Sequence, residues 1–255
     1  MPGLPQGSAV CAPPISALLW TANLDRLQDH PPSNRSIQWL RHRAQAITAT
    51  VWVDQRWSSG VVIQRQGMVY TVVTNQHVVN SGEAFWVTMP DGKRYEAELK
   101  SHAGLTGQDL AVLKFRSREV VYLTAILAPS LKLVPGTPVF ASGFPIAQQS
   151  PQFRFTTGHI SLVSDKVLQG GYQVGYTNPI EKGMSGGPVL NRQGQVVAIN
   201  GMHAYPLWGN PYIFTDGSRP SAEELKVMQK SSWAIPSERL RHLFPAVFSI
   251  NRHEE

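Results

Sequence analysis

The sequence predicts an all-β protein built from two antiparallel β-barrels of six strands each. Short segments rich in β-branched and aromatic residues recur between residues 47 and 235, and turn residues separate them. The chain has 255 residues and is 42% hydrophobic, which is enough to bury the cores of two small lobes. No apolar run approaches the roughly 20 residues that span a bilayer, so we expect no membrane span.

The first barrel is predicted over residues 47–120. It follows an N-terminal extension, residues 1–46, which is punctuated by prolines and ends in a short helix at about residues 36–45. Turns at Gln66-Gly67 and Asp91-Gly92 separate neighbouring strands. The predicted strands cover residues 47–54, 59–65, 68–75, 84–89, 93–100 and 110–115.

The second barrel is predicted over residues 121–244, and a tail over residues 245–255 follows it. Turns are expected at Pro135-Gly136 and Gln193-Gly194. The strand candidates cover residues 121–127, 137–142, 153–163, 172–177, 187–191, 195–202 and 231–235.

Residues 204–230 interrupt the strand pattern and form an insertion. Its first half is rich in aromatic residues and proline, and Ser221-Ala222-Glu223-Glu224 is a capping box that predicts a helix over about 222–230. The simplest role is to cover an exposed barrel edge. The insertion follows a predicted strand that ends near Gly201, and it rejoins the barrel at Ser231. The alternative is therefore a lid over a cleft between the barrels, or a docking site for a regulatory protein.

Gly-Met-Ser-Gly-Gly-Pro at residues 183–188 is the strongest chemical signal in the chain. Glycines on both sides of Ser185 let a substrate carbonyl approach the hydroxyl, and they free the backbone to aim two amides at one point. The same residues also suit an ordinary turn between strands. A serine nucleophile needs a base and a carboxylate that orients the base, so the hypothesis requires both.

His77 and Asp109 are the candidates for base and carboxylate. His77 follows a strand rich in β-branched residues, and Asp109 stands at the entrance of another strand. An exposed loop aspartate is the ordinary alternative, as a surface or structural role is for a single histidine. Among the histidines, including His102 and His159, only His77 has Thr-Asn-Gln before it and Val-Val after it.

Three segments of the chain resemble motifs of the chymotrypsin-like (trypsin-like) serine proteases, and most of all the bacterial HtrA/Deg-like protease domain without a PDZ domain. Residues 74–79 resemble the histidine motif, residues 109–114 the aspartate motif and residues 183–191 the nucleophile motif. Their order, His, Asp, Ser, is that of chymotrypsin. The resemblance covers residues 47–244.

This resemblance implies a serine endopeptidase with the catalytic triad His77, Asp109 and Ser185, and with the amides of Gly183 and Ser185 as the oxyanion hole. It implies neither a cofactor nor a metal. Met184 replaces the aspartate of zymogen-activated relatives, so packing, neighbouring loops or a partner must hold the oxyanion loop. Residues 237–244 resemble the C-terminal helix of the family. The alternative is a protease-like module that is silent or gated by a partner and acts by binding proteins.

The family pattern also indicates a substrate pocket, with Pro179 where trypsin has the aspartate that selects Lys and Arg. Ile180 and Ile199 favour a small or medium apolar residue before the scissile bond, whereas Lys182 or His203 could recruit an acidic one. The predicted pocket residues are Pro179, Ile180, Ile199, Asn200, Gly201 and His203.

Composition limits the remaining function classes. The net charge is +6, but the 23 Lys and Arg residues are scattered, so we expect no nucleic-acid partner. The family resemblance implies a protein or peptide substrate. Cys11 is the single cysteine and cannot form an internal disulfide. No signal peptide is visible, which favours the cytoplasm, or export if a leader has been removed.

Overall fold

The computed structural model describes residues 36–241 and residue 244, apart from residues 81, 101–102, 131–132, 148 and 206–210. The predictions for Cys11, for most of the N-terminal extension and for the tail over 245–255 lie outside the described residues.

The described chain begins with the helix α1, Ile37–Ile47, in the predicted position. The Ser36 hydroxyl caps it by accepting a hydrogen bond from the Trp39 amide at 3.1 Å. Leu40 and Ala44 are fully buried. Arg43 also lies on the buried face, where its guanidinium donates to the Thr124 carbonyl at 3.1 Å. The helix therefore packs on the barrels through both apolar and polar contacts.

The first barrel is closed and has six antiparallel strands in the order β1-β2-β3-β6-β5-β4. Its core contains side chains from every strand, among them Val51, Val62, Val72 and Leu113. The strands are β1 Thr48–Val53, β2 Arg56–Gln66, β3 Val69–Thr74, β4 Phe85–Thr88, β5 Arg94–Lys100 and β6 Ala111–Arg116.

The second barrel is also closed, with the order β10-β11-β12-β9-β8-β7. Its core includes Val139, Ile160, Tyr176 and Val197. The strands are β7 Pro138–Gly143, β8 Arg154–Val163, β9 Val174–Tyr176, β10 Pro188–Leu190, β11 Val196–Met202 and β12 Ser232–Pro236. The predicted fold class, two six-stranded antiparallel barrels, is confirmed.

One predicted strand, residues 121–127, is wrong. The segment is extended, but its only ladder contact among the described residues is an isolated bridge from Leu127 to Val196. It connects the barrels instead, and the Ala125 amide donates to the Val62 carbonyl at 2.7 Å. Four of its seven side chains are buried, which gives it the composition of a strand: Tyr122, Leu123, Ala125 and Leu127.

The remaining helical segments are short. α2, Gln76–Val79, is a single turn after β3, and α3, Ala222–Met228, carries the predicted capping box of Ser221 and Glu224 but ends two residues early. The predicted C-terminal helix begins as a 3-10 helix, Ser237–Leu240. Phe244 still donates its amide to the Leu240 carbonyl at 2.9 Å.

The described part of the insertion packs on the second barrel and on the loop between β8 and β9. The Gln169 amide donates to the Ile213 carbonyl, and the Thr215 amide to the Val167 carbonyl, each at 2.8 Å. Tyr212 packs against Trp233 of β12, with ring centroids 6.1 Å apart. Through these contacts the insertion packs on the closed barrel and supports the neighbouring loop.

In the described part of the chain, no helix is both long and apolar enough for a membrane crossing.

The core placement of Leu113 leads to a stability prediction. Leu113→Ala removes a fully buried side chain, and we expect the free energy of unfolding to fall by about 2–5 kcal/mol. Leu99, its partner on β5, is 37% exposed, and Leu99→Ala should cost less than about 1 kcal/mol. Urea unfolding of both variants measures the difference, and equal losses would contradict the assigned core.

Candidate active site

The glycines after Ser185 are required by close backbone contacts. Gly186 has a φ of +84°, and a Cβ there would collide with the carbonyl oxygen of Ser59. A Cβ on Gly187 would collide with the carbonyl oxygen of Ser142. The loop can therefore approach β2 and β7 only with glycine at these positions.

Ser59 on β2 joins the first barrel to the nucleophile loop. Its amide donates to the Ser185 carbonyl at 3.0 Å, and its hydroxyl donates to the Gly183 carbonyl at 2.8 Å. The same hydroxyl accepts from the Phe144 amide at 2.8 Å. Ser58 adds a bond from its hydroxyl to the Ser185 carbonyl at 2.9 Å. The position of Ser185 is thus fixed from the opposite barrel.

Two amides of the loop point toward open space. The Lys182 carbonyl accepts from the Ile146 amide at 2.9 Å, and the Met184 carbonyl accepts from the Asn200 side chain at 2.9 Å. In a trans peptide the N–H lies opposite the carbonyl, so the amides of Gly183 and Ser185 face the other way. Neither amide donates to an acceptor among the described residues. The pair can serve a developing oxyanion.

Met184 is held by packing. It is fully buried, and a Cβ on Gly143 of β7 would lie 2.8 Å from its Cα. Because Gly143 has no side chain, β7 packs directly against the loop. Packing therefore holds the loop at Met184.

His77 and Asp109 form a two-point contact between α2 and the loop before β6. The His77 Nδ1 lies 2.6 Å from one carboxylate oxygen, and the His77 backbone amide donates to the other at 2.8 Å. A carboxylate only accepts hydrogen bonds, so Nδ1 carries the proton and Nε2 of the neutral ring is left as an acceptor. The histidine side chain is 49% exposed and the aspartate 16%.

Asp109 is also held by three further residues. Asn75 donates its side-chain amide to the Asp109 carbonyl at 2.8 Å, and the Asp109 amide donates to the Gly170 carbonyl at 2.8 Å. The Tyr172 hydroxyl donates to Oδ2, the carboxylate oxygen that lies beside Nδ1 of His77. Burial, followed by the charge of Asp109, raises the pKa of Tyr172 well above its ordinary value, so the hydroxyl keeps its proton.

Ser185 and His77 line one cleft. The Ser185 hydroxyl donates to the Gly201 carbonyl at 3.2 Å, and no hydrogen bond to His77 is present among the described residues. Contacts of this kind often tighten only when substrate binds. The other lining residues are Val53, Arg56, Trp57, Ser58, Val78, Ile146, Lys182 and Gly183.

The predicted pocket residues separate into groups, and none lines this cleft. Ile199 and Asn200 are fully buried, and the Asn200 side chain binds the Tyr176 hydroxyl and the Met184 carbonyl. Asn200 thus supports the nucleophile loop, and a role of Ile199 and Asn200 in a substrate pocket stays a prediction. Pro179 and His203 are exposed, and Ile180 packs on the second-barrel core. Gly201 contributes the carbonyl that accepts from Ser185.

In the described ranges, no cluster of three or more His, Cys, Asp or Glu residues is suited to a metal ion.

Sequence reasoning missed the residues that position the candidate triad. The only local signal of Ser58 and Ser59 is that two small hydroxyl residues precede Gly60. Tyr172 lies 63 residues from Asp109, and no local pattern marks it.

The sequence is similar to those of known peptidases. Residues 58–199 match the family model described as "Trypsin-like peptidase domain". "Serine protease Do-like HtrA" of Bacillus subtilis is 33% identical over 152 residues, which cover 56% of this chain and 33% of that protein. A "Probable periplasmic serine endoprotease DegP-like" of Brucella suis is 33% identical over 144 residues, covering 56% and 26%. The chain spans between about a quarter and a third of the length of these relatives.

A solved structure gives the same fold. The "serine endoprotease from Yersinia pestis" superposes with a TM-score of 0.60 at 22% identity, covering 86% of this chain and 68% of that one. At this identity the likeness concerns the fold alone. Because the family model extends over more than half of the sequence, the chain belongs to the trypsin-like peptidase domain family.

Proposed function

We propose that the chain is a serine endopeptidase that hydrolyses peptide bonds through His77, Asp109 and Ser185 and an acyl-enzyme intermediate. One observation carries the proposal: a histidine bound at Nδ1 by a carboxylate lies on the same cleft as a serine in a glycine-rich turn. Family membership and the HtrA-type relatives support the same conclusion.

The proposed reaction begins when the Ser185 hydroxyl rotates from the Gly201 carbonyl toward Nε2 of His77. As the Ser185 oxygen attacks the substrate carbonyl, Nε2 takes its proton, and the Asp109 carboxylate stabilises the resulting imidazolium. The amides of Gly183 and Ser185 bind the oxyanion. Nε2 then protonates the leaving amine, and water releases the acyl group by the same steps in reverse order.

The alternative, a silent or partner-gated module, gains no support from the site. The two unengaged amides and the His77–Asp109 contact are features that catalysis uses and that protein binding alone does not require. A regulatory partner at residues 204–230 stays a prediction, as does the preference for an apolar or acidic residue before the scissile bond. A peptide-library cleavage profile measures that preference directly.

Ser185→Ala tests the nucleophile. We expect loss of covalent labelling by a fluorophosphonate and loss of hydrolysis of dye-labelled casein, because the attacking oxygen is removed. Mass spectrometry of the labelled wild-type protein should place the adduct on the peptide that contains residue 185. An adduct on another serine, or retained hydrolysis by the folded variant, would refute the assignment.

Asp109→Asn tests the orienting carboxylate. An amide has no charge to stabilise the imidazolium, and its NH2 group can donate to Nδ1 and so favour the wrong tautomer. We therefore expect turnover to fall on the order of 10⁴-fold, the loss known for this change on the chymotrypsin fold. Asp91→Asn is the matched control, because Asp91 also accepts from a tyrosine hydroxyl and a backbone amide. Similar turnover of the two variants would indicate a different carboxylate.

Ser59→Ala tests the contact between the barrels. The change removes the 2.8 Å hydrogen bond from the Ser59 hydroxyl to the Gly183 carbonyl, and it leaves the Phe144 amide without its acceptor. Because an orphaned donor costs about 1–3 kcal/mol, the loop gains competing positions, and we expect kcat to fall about tenfold. Ser117→Ala, which removes a buried hydroxyl remote from the loop, should retain wild-type kcat. Equal kcat values for both variants would exclude the role of Ser59.

A further inference from the structure

Tyr172 makes a contact that the reaction scheme above does not use. The residue is 5% exposed and lies in the tight turn between β8 and β9, where the Leu168 amide donates to the Tyr172 carbonyl at 2.9 Å. Its hydroxyl donates to Oδ2 of Asp109, the same oxygen that faces Nδ1 of His77. The tyrosine therefore acts on the atom that would stabilise the imidazolium.

The space for the Tyr172 ring exists because residue 201 is glycine. A Cβ on Gly201 would collide with the Tyr172 hydroxyl and would lie 2.6 Å from its Cε1 and 2.8 Å from its Cζ. Any side chain at position 201 and the tyrosine ring exclude each other. The tyrosine hydroxyl thus occupies the position that a side chain on β11 would otherwise fill.

The turn that carries Tyr172 also binds the backbone of the aspartate. The Gly170 carbonyl accepts from the Asp109 amide at 2.8 Å, and a Cβ on Gly170 would lie only 3.3 Å from Cβ of Asp109, so the turn approaches the aspartate closely. Gly170 and Gly171 have φ values of +80° and +89°, which favour glycine. The turn therefore holds the Tyr172 hydroxyl beside the Asp109 carboxylate.

We propose that Tyr172 is a positioning residue for the reaction, which orients the Asp109 carboxylate toward His77 through a hydrogen bond to Oδ2. The inference depends on the proposed endopeptidase function. The His77 amide holds Oδ1, and without Tyr172 the imidazole is the one partner of the other oxygen among the residues that the structure describes. The carboxylate can then rotate about its Cβ–Cγ bond, and the aligned acceptor for Nδ1 is lost.

Tyr172→Phe removes the hydroxyl and keeps the ring. A hydrogen bond to a charged group is worth about tenfold or more, so we expect kcat on dye-labelled casein to fall about tenfold while KM changes less than about twofold. Tyr122→Phe is the matched control, since Tyr122 is buried and its hydroxyl donates to Asp91 at 2.9 Å in the first barrel. It loses a comparable tyrosine–aspartate bond and should keep wild-type kcat.

A spectroscopic measurement makes the outcome independent of turnover. The far-downfield proton resonance of His77 Nδ1–H should shift in Tyr172→Phe and stay in place in Tyr122→Phe. An unchanged resonance in Tyr172→Phe, or equal kcat values for the two folded variants, overturns the proposal. An inactive wild-type protein would instead refute the proposed function, and the resonance would still decide whether Tyr172 orients the Asp109–His77 pair.

Discussion

The hydrogen bonds of Ser59 are the interaction on which the arrangement of the site depends. Ser185 belongs to the second barrel and His77 to the first, so the two side chains share a cleft only while the barrels keep one relative position. Ser59 holds the Ser185 carbonyl with its amide and the Gly183 carbonyl with its hydroxyl. The glycine at 186 allows this approach, because a side chain there would strike the Ser59 carbonyl. The hydrogen bonds of Ser59 to the nucleophile loop thus require a glycine at position 186.

The carboxylate of Asp109 imposes a second constraint, because a largely buried charge needs donors. Its donors come from α2 and from the β8–β9 turn, that is, from both barrels. The same turn binds the Asp109 backbone through Gly170. A neutral donor suits this position, since Tyr172 adds a hydrogen bond without a second negative charge, and burial keeps its hydroxyl protonated. The requirements of charge burial and of geometry are met by the same contacts.

The sequence was informative wherever function and structure are local. The strand and turn pattern predicted both barrels, and the capping box at Ser221 predicted α3, because each is decided within a few residues. The strand over 121–127 was wrong because a buried linker has the same apolar composition as a strand. The family pattern indicated Asn200 as a pocket residue, but it did not reveal that the Asn200 side-chain amide binds the loop backbone. Contacts across 63 or 124 residues, such as Tyr172–Asp109 and Ser59–Gly183, leave no local pattern.

The insertion supports the turn that binds the Asp109 carboxylate. Its segment at 213–215 pairs with the loop at 167–169 through backbone hydrogen bonds at both ends. The same loop ends in the turn of Gly170 and Tyr172, which binds Asp109. Lys166 adds an ion pair with Asp216, but both side chains are more than half exposed, so this pair contributes little. Backbone pairing and the burial of Phe214 therefore support the loop. Because backbone pairing does not depend on side-chain identity, residues at the exposed positions of the insertion can change without displacing Tyr172.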